Sequence, residues 1–146
     1  NKDFKIAADV WSVTSWNELR RDGLAVDRHN LLNPGKQIKA FVTKQLKRRK
    51  GPVIAVSDFM RSVQDQIAPW VEQDFYSLGT DGFGLSDTRG ALRRHFKVDA
   101  ESIVIAALSQ LADANEISSR KVKKAIKKYQ INDVTAADAG NTEGSG

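Results

Sequence analysis

Six residues, Val-Ile-Ala-Val-Ser-Asp at Val53 to Asp58, constrain this chain more than any other stretch. The run begins directly after Gly51-Pro52, is apolar without alternation, and stops at an aspartate. A strand that faces water on one side alternates polar and apolar residues. A short continuous run between breakers therefore reads as a strand covered on both faces. Helices must do the covering, and amphipathic segments lie on either side of it in the sequence. The expected fold is α/β, a mostly parallel sheet between two helical layers.

Ala7 to Ser15, rich in β-branched and aromatic residues around Val10, Trp11 and Val13, is expected to be a buried strand. Asn17 to Asn33 is polar and punctuated by "RRDG" and "DRHN", so it reads as turn-prone. Lys36 to Lys50 reads as a helix, with Ile38, Phe41 and Val42 on one face and Leu46 as a further candidate. Met60 to Trp70 is expected to be helical, with Val63 and Ile67 in register with Trp70 or Val71, and with Pro69 ending or distorting the last turn. Phe75 to Leu78 is a third strand, running into the glycine turn Gly79 to Asp87. After it comes a short helix around Leu92 and Phe96, capped by Ser86 or Asp87. Asp99 caps the next, whose stripe is Ile103, Val104, Ala107, Leu108 and Leu111. Ser118 or Ser119 opens the last, with Val122, Ala125, Ile126 and Tyr129 facing in. The domain is expected to span 1–134, with a disordered small-residue tail at 135–146.

Composition bounds function only broadly. The 146 residues suit one core, and no cysteine is present, which removes disulfides, thiolate nucleophiles and cysteine zinc sites. No apolar run is long enough for a membrane span and no signal-peptide pattern opens the chain, so a cytoplasmic location is expected. The formal net charge of +5 permits an anionic partner without specifying one.

The candidate chemistry is concentrated in "LGTDGFGLSDTRGALRRHF", Leu78 to Phe96. A glycine turn between a strand and a helix is where open α/β sheets place ligands. The spacing of Gly79, Gly82 and Gly84 is not that of a dinucleotide fingerprint, however, and no lysine follows as in a phosphate-binding loop. Asp81 and Asp87 near a helix N-terminus would also repel an anion. The other reading is a structural corner in which Asp81, Ser86, Asp87 and Arg89 tie together a turn made possible by Gly82 and Gly84. His29 and His95 lack partners at metal-ligand spacing. No serine lies in a nucleophile elbow. The basic stretches Lys44 to Lys50 and Arg120 to Lys128 could meet nucleic acid, but no aromatic residues interleave with them as a single-strand platform would require.

The blocks "ADVWSVTSWNELRRDGLAVDRHNLLNP", "GPVIAVSDFMRSVQDQIAPWV" and "LGTDGFGLSDTRGALRRHFKVDAESIVIAAL", in this order, resemble the closing segment of the homodimeric bacterial pyruvate dehydrogenases. Asp81, Phe83, Gly84 and Ser86 are similar to the D-x-F-G-x-S corner of the last transketolase domain. The resemblance implies a three-layer α/β/α domain of the transketolase C-terminal type, belonging to a large enzyme that uses thiamine diphosphate and Mg2+. In that family the cofactor's ylid attacks pyruvate, carbon dioxide leaves, and the two-carbon fragment reductively acetylates a lipoyl group of the dihydrolipoyl acetyltransferase. The family's cofactor and catalytic residues lie in upstream domains, so none is carried onto this chain. The domain's role is then structural.

In the family, a strand that precedes this segment lies between the strands expected at Ala7 to Ser15 and Val53 to Asp58. The sheet is therefore expected to be incomplete on its N-terminal side and the chain to be a fragment, each unpaired buried backbone group costing on the order of 1 to 3 kcal/mol. The implied partners are the remainder of the polypeptide, a homodimer mate and the acetyltransferase, with no nucleic acid and no membrane. The alternatives are an interaction module docking the acetyltransferase or sister subunit through Phe59 to Trp70 or through Arg89, Arg93 and Arg94, and a basic nucleic-acid-binding domain.

Overall fold

The computed structural model describes residues 3–137 and is α/β. Its elements, in chain order, are α1 (Trp16–Leu32), α2 (Phe41–Leu46), β1 (Val53–Val56), α3 (Arg61–Asp65), a 3-10 turn (Ala68–Trp70), β2 (Phe75–Leu78), α4 (Arg89–His95), α5 (Ala100–Asp113), α6 (Ser119–Tyr129) and a 3-10 turn (Thr135–Ala137). They fall into two compact units. Of the described residues, 3–49 together with Gln66–Glu72 form the first, and Lys50–Asp65 together with 73–137 form the second.

The first unit departs most from the sequence expectation. Asn17 to Asn33 is not a turn-rich stretch but almost all helix. Ser15 accepts a hydrogen bond from the Glu18 backbone N–H at 3.2 Å, and Ser15-Trp16-Asn17-Glu18 has the spacing of a capping box. Trp16, Leu19, Gly23, Val26 and Asn30 then recur every three or four residues, with Gly23 and Val26 buried. A glycine inside a helix costs roughly 1 kcal/mol against alanine. Here a side chain has no room, because an added Cβ at Gly23 would lie 2.3 Å from the Trp70 ring. The indole is fixed in turn by its N–H, which donates to Asp27 Oδ1 at 3.0 Å, and by Thr43, whose hydroxyl donates to the Trp70 carbonyl.

The helix expected over Lys36 to Lys50 is only Phe41–Leu46. Asn30 explains the late start, since its side chain accepts from the Ile38 N–H at 2.8 Å and donates to the Ile38 carbonyl at 2.9 Å. That pairing holds the chain out of a helix until Phe41, whose N–H is taken by Asp22.

The strand expected at Ala7 to Ser15 does not form. Val10 is 95% exposed and Trp11 47%, and no strand among the described residues pairs with this segment. Its backbone has no ladder to join. Arg49 secures it instead, standing 5.6 Å from the Trp11 ring centroid and 3.2 Å from Asp9.

The second unit holds the sheet, which has two strands rather than three. β1 and β2 pair in parallel from Val53 opposite Phe75 to Val56 opposite Leu78. Leu78, Val98 and Ala106 form a buried cluster against which Ile54, Val56, Phe96 and Ile103 pack. Asp99 and Ser118 cap α5 and α6 as expected. α4 is capped by Thr88 rather than by Ser86 or Asp87; Asp87 instead accepts from the Thr88 N–H at 2.7 Å. Met60 to Trp70 is not one helix. α3 stops at Asp65, and a 3-10 turn containing Pro69 follows, because proline removes the N–H that a continuing helix would use.

Arg94 organises the far end of this unit. Only 3% of its side chain is exposed. It donates to Asp99, to Glu101 at 3.4 Å, and to the carbonyls of Tyr129 at 3.1 Å and of Gln130 and Asp133 at 3.4 Å. Those carbonyls close the C-terminal end of α6, where an arginine meets acceptors the helix leaves unpaired. Burial works against the charge on Asp99. The hydrogen bonds from Ser102 and Arg94 outweigh it, and the carboxyl sits below its ordinary value. The tail expected from 135 begins with a 3-10 turn at Thr135–Ala137, and the remainder lies outside the described residues.

Candidate functional site

Because β1 and β2 run in parallel, their carboxyl ends share one edge, and the loops that leave them meet there. The Ser57 N–H donates to the Leu78 carbonyl at 3.2 Å, and the Thr80 N–H donates to the Phe59 carbonyl at 2.9 Å. The Thr80 hydroxyl reaches the Asp58 carbonyl at 2.7 Å. Asp81 accepts from the Arg61 N–H at 2.9 Å, capping the start of α3. Gly79 permits this approach, since a Cβ there would lie 2.5 Å from the Phe59 carbonyl oxygen. Beyond it the chain turns through Gly82 at φ +100.

A polar layer lies beside these loops. The Ser77 hydroxyl donates to Asp65 and accepts from Arg61 Nε at 3.3 Å. The Arg61 guanidinium also stands 5.7 Å from the Tyr76 ring centroid. Gln64, fully buried, donates to the Leu78 carbonyl at 2.7 Å. Its Oε1 has no hydrogen-bond partner among the described residues.

The serine in this layer faces only a carboxylate and a guanidinium. Among the described residues no imidazole or amine is bonded to it, and its bonds tie β2 to α3 through side chains.

Of the residues read from the sequence as the corner, Asp81 and Asp87 accept backbone hydrogen bonds, from Arg61 and Thr88, and Gly82 turns the chain between them, whereas Gly84 has no positive φ and an added Cβ there would meet nothing. Ser86 and Arg89 are exposed and take no part in those bonds. The joining is done by Thr80 and Arg61 instead. Their role was not legible beforehand because it depends on two loops separated in sequence meeting at one sheet edge.

The other candidates lie elsewhere. His29 lies in the last turn of α1, with Nε2 3.2 Å from the Lys36 carbonyl oxygen, and His95 ends α4 edge-on to Phe96. Arg94, expected as a possible contact for a partner, is instead buried in its own network, whereas Arg89 and Arg93 are exposed. The lysines of α6 lie on its exposed side.

The corner residues do not fit a diphosphate with its magnesium. Both nearby carboxylates are already hydrogen-bonded to backbone, Asp81 at the start of α3 and Asp87 at the start of α4, and each would oppose an anion at its helix. Among the described residues no three His, Asp or Glu side chains are grouped to hold a metal ion. No helix among them is long and apolar enough to cross a membrane.

The transketolase-like TK C-terminal domain family model matches residues 1–99. Among curated proteins, the chain is 52% identical over 136 residues to a Mycolicibacterium smegmatis protein, covering 92% of this chain. It is 50% identical over 142 residues to one from Mycobacterium tuberculosis, covering 97%, and 43% identical over 131 residues to one from Escherichia coli, covering 89%. Each of the three is named pyruvate dehydrogenase E1 component. The chain spans 15% of the length of each.

Proposed function

The chain belongs to the transketolase-like C-terminal domain family, and from that premise we propose that it is the C-terminal domain of a thiamine-diphosphate-dependent pyruvate dehydrogenase. The whole enzyme decarboxylates pyruvate and reductively acetylates the lipoyl group of a dihydrolipoyl acetyltransferase. Thiamine diphosphate and Mg2+ belong to domains outside this chain, whose own corner does not fit them. We read the enzyme as a cytoplasmic homodimer with the acetyltransferase as partner.

One observation carries this reading: identity of 43 to 52% over nearly all of this chain to proteins that bear that enzyme's name. The site's chemistry agrees, because Asp81 and Asp87, the carboxylates best placed for catalysis, are occupied in holding the backbone of α3 and α4.

The test uses the full-length protein with thiamine diphosphate, Mg2+, pyruvate and a lipoylated acetyltransferase domain. Carbon dioxide release coupled to lipoyl acetylation is expected. Turnover of a different 2-oxo acid in preference to pyruvate, or none at all, would overturn the reading.

A further inference from the structure

We infer that the two joined loops at the carboxyl end of the sheet, with Phe83 at their tip, are the seat for an apolar surface on the part of the same full-length polypeptide that lies outside this chain; the inference rests on the proposed function. Phe83 is 95% exposed, Phe59 and Met60 58% each, and Leu85 53%. Apolar residues scattered singly over a surface are ordinary. Phe59 and Met60 stand on a loop joined to the β2 exit by the bonds from Thr80 to Asp58 and Phe59 and from Arg61 to Asp81, and Phe83 and Leu85 follow directly after that joint. Asp58, Asp81 and Asp87 are exposed on the same loops, so apolar side chains are accompanied by carboxylates, the composition of an interface centre and its rim.

Size selects the occupant. Four such side chains offer on the order of 500 Å2, short of the roughly 800 Å2 that each partner buries in a stable complex between separate molecules. A surface tethered to the same chain meets the patch at millimolar effective concentration and needs no more area. Tethered mass is available, since the matching segment is 15% of the length of the relatives.

The test places the photoreactive residue p-benzoylphenylalanine at Phe83 of the full-length protein, and separately at Leu85. Protein labelled with 15N is mixed and re-equilibrated with unlabelled protein before irradiation. Cross-linked peptide pairs of a single isotope label, joining Phe83 to sequence outside these 146 residues at about tenfold the yield from exposed Glu116, are expected. Mixed-label pairs would assign the seat to a second copy and overturn the inference. So would absence of cross-links at both positions, or cross-links that form only when the acetyltransferase is added. Pyruvate turnover is measured on the same preparations. Turnover without single-label cross-links removes the seat and leaves the function, whereas single-label cross-links without turnover remove the function and leave the seat.

Discussion

The two units solve the same problem by different means. The first has no strand among its described residues and few buried apolar side chains, chiefly Val26, Ala40, Val42 and Ile67. Side chains bonded to distant backbone hold it: Asn30 on Ile38, Asp22 on Phe41, and Thr43 on Trp70. The second has a parallel sheet, a cluster around Leu78, Val98 and Ala106, and a buried arginine that joins α4, α5 and the end of α6. Polar locks fix geometry while burying little apolar area, so the first unit leaves Val10, Leu31 and Leu32 largely in water. The second unit has its own core and still exposes Phe83. The same exposure therefore means different things in the two: an unpaired segment in one and a presented surface in the other.

The largest expected effect breaks the second unit. Arg94→Met removes the guanidinium bonds to Asp99, Glu101 and three carbonyls while Asp99 keeps the Ser102 N–H, and urea unfolding of the chain should show a loss of about 3 to 5 kcal/mol. Arg94→Lys should recover less than half, because an ammonium cannot reproduce the guanidinium fork. An unchanged midpoint would show that the network is not what secures this unit. Gly23→Ala tests the first unit. It gains helix propensity yet drives a methyl into the Trp70 ring, and a net loss of about 1 to 3 kcal/mol is expected in the same experiment. Stabilisation would place the indole elsewhere.

Asn30→Ala should cost about 1 kcal/mol and speed hydrogen exchange at the Ile38 amide; exchange there at the parental rate would remove the lock. The smallest effect separates the units by pH. Asp99 in the second has its carboxyl held below the ordinary 3.8. Its contribution is therefore complete above that value and is lost as pH falls through the depressed one. Acid titration of stability should lose part of its slope in the Arg94→Met variant, and an identical slope would contradict the coupling.

How much could be read beforehand follows the same division. Val53–Val56, Phe75–Leu78, the Asp99 and Ser118 caps and the disturbance at Pro69 were legible because each is set by residues within a few positions. α1 was missed although its capping box and its stripe through Gly23 and Val26 were present. Polar residues dominated the composition, and a glycine at a buried helical position makes sense only once Trp70 is known to occupy the space. The late start of α2 and the roles of Thr80 and Arg61 come from pairings across loops, which periodicity does not record. The apolar character of Ala7 to Ser15 was legible, but a strand also requires a neighbour. At the corner, the turn around Gly82 was readable from residue type, whereas the bond from Asp81 to the Arg61 N–H was not.

That bond gives Asp81 a backbone to hold, and on the proposed function it takes no part in the chemistry. The decisive measurement is kcat for pyruvate in the full-length protein carrying Asp81→Ala, taken well below its melting temperature. The account predicts a value within about threefold of the parent. A fall of about a hundredfold or more with an unmoved melting transition, the signature of a lost acid or base, would contradict it.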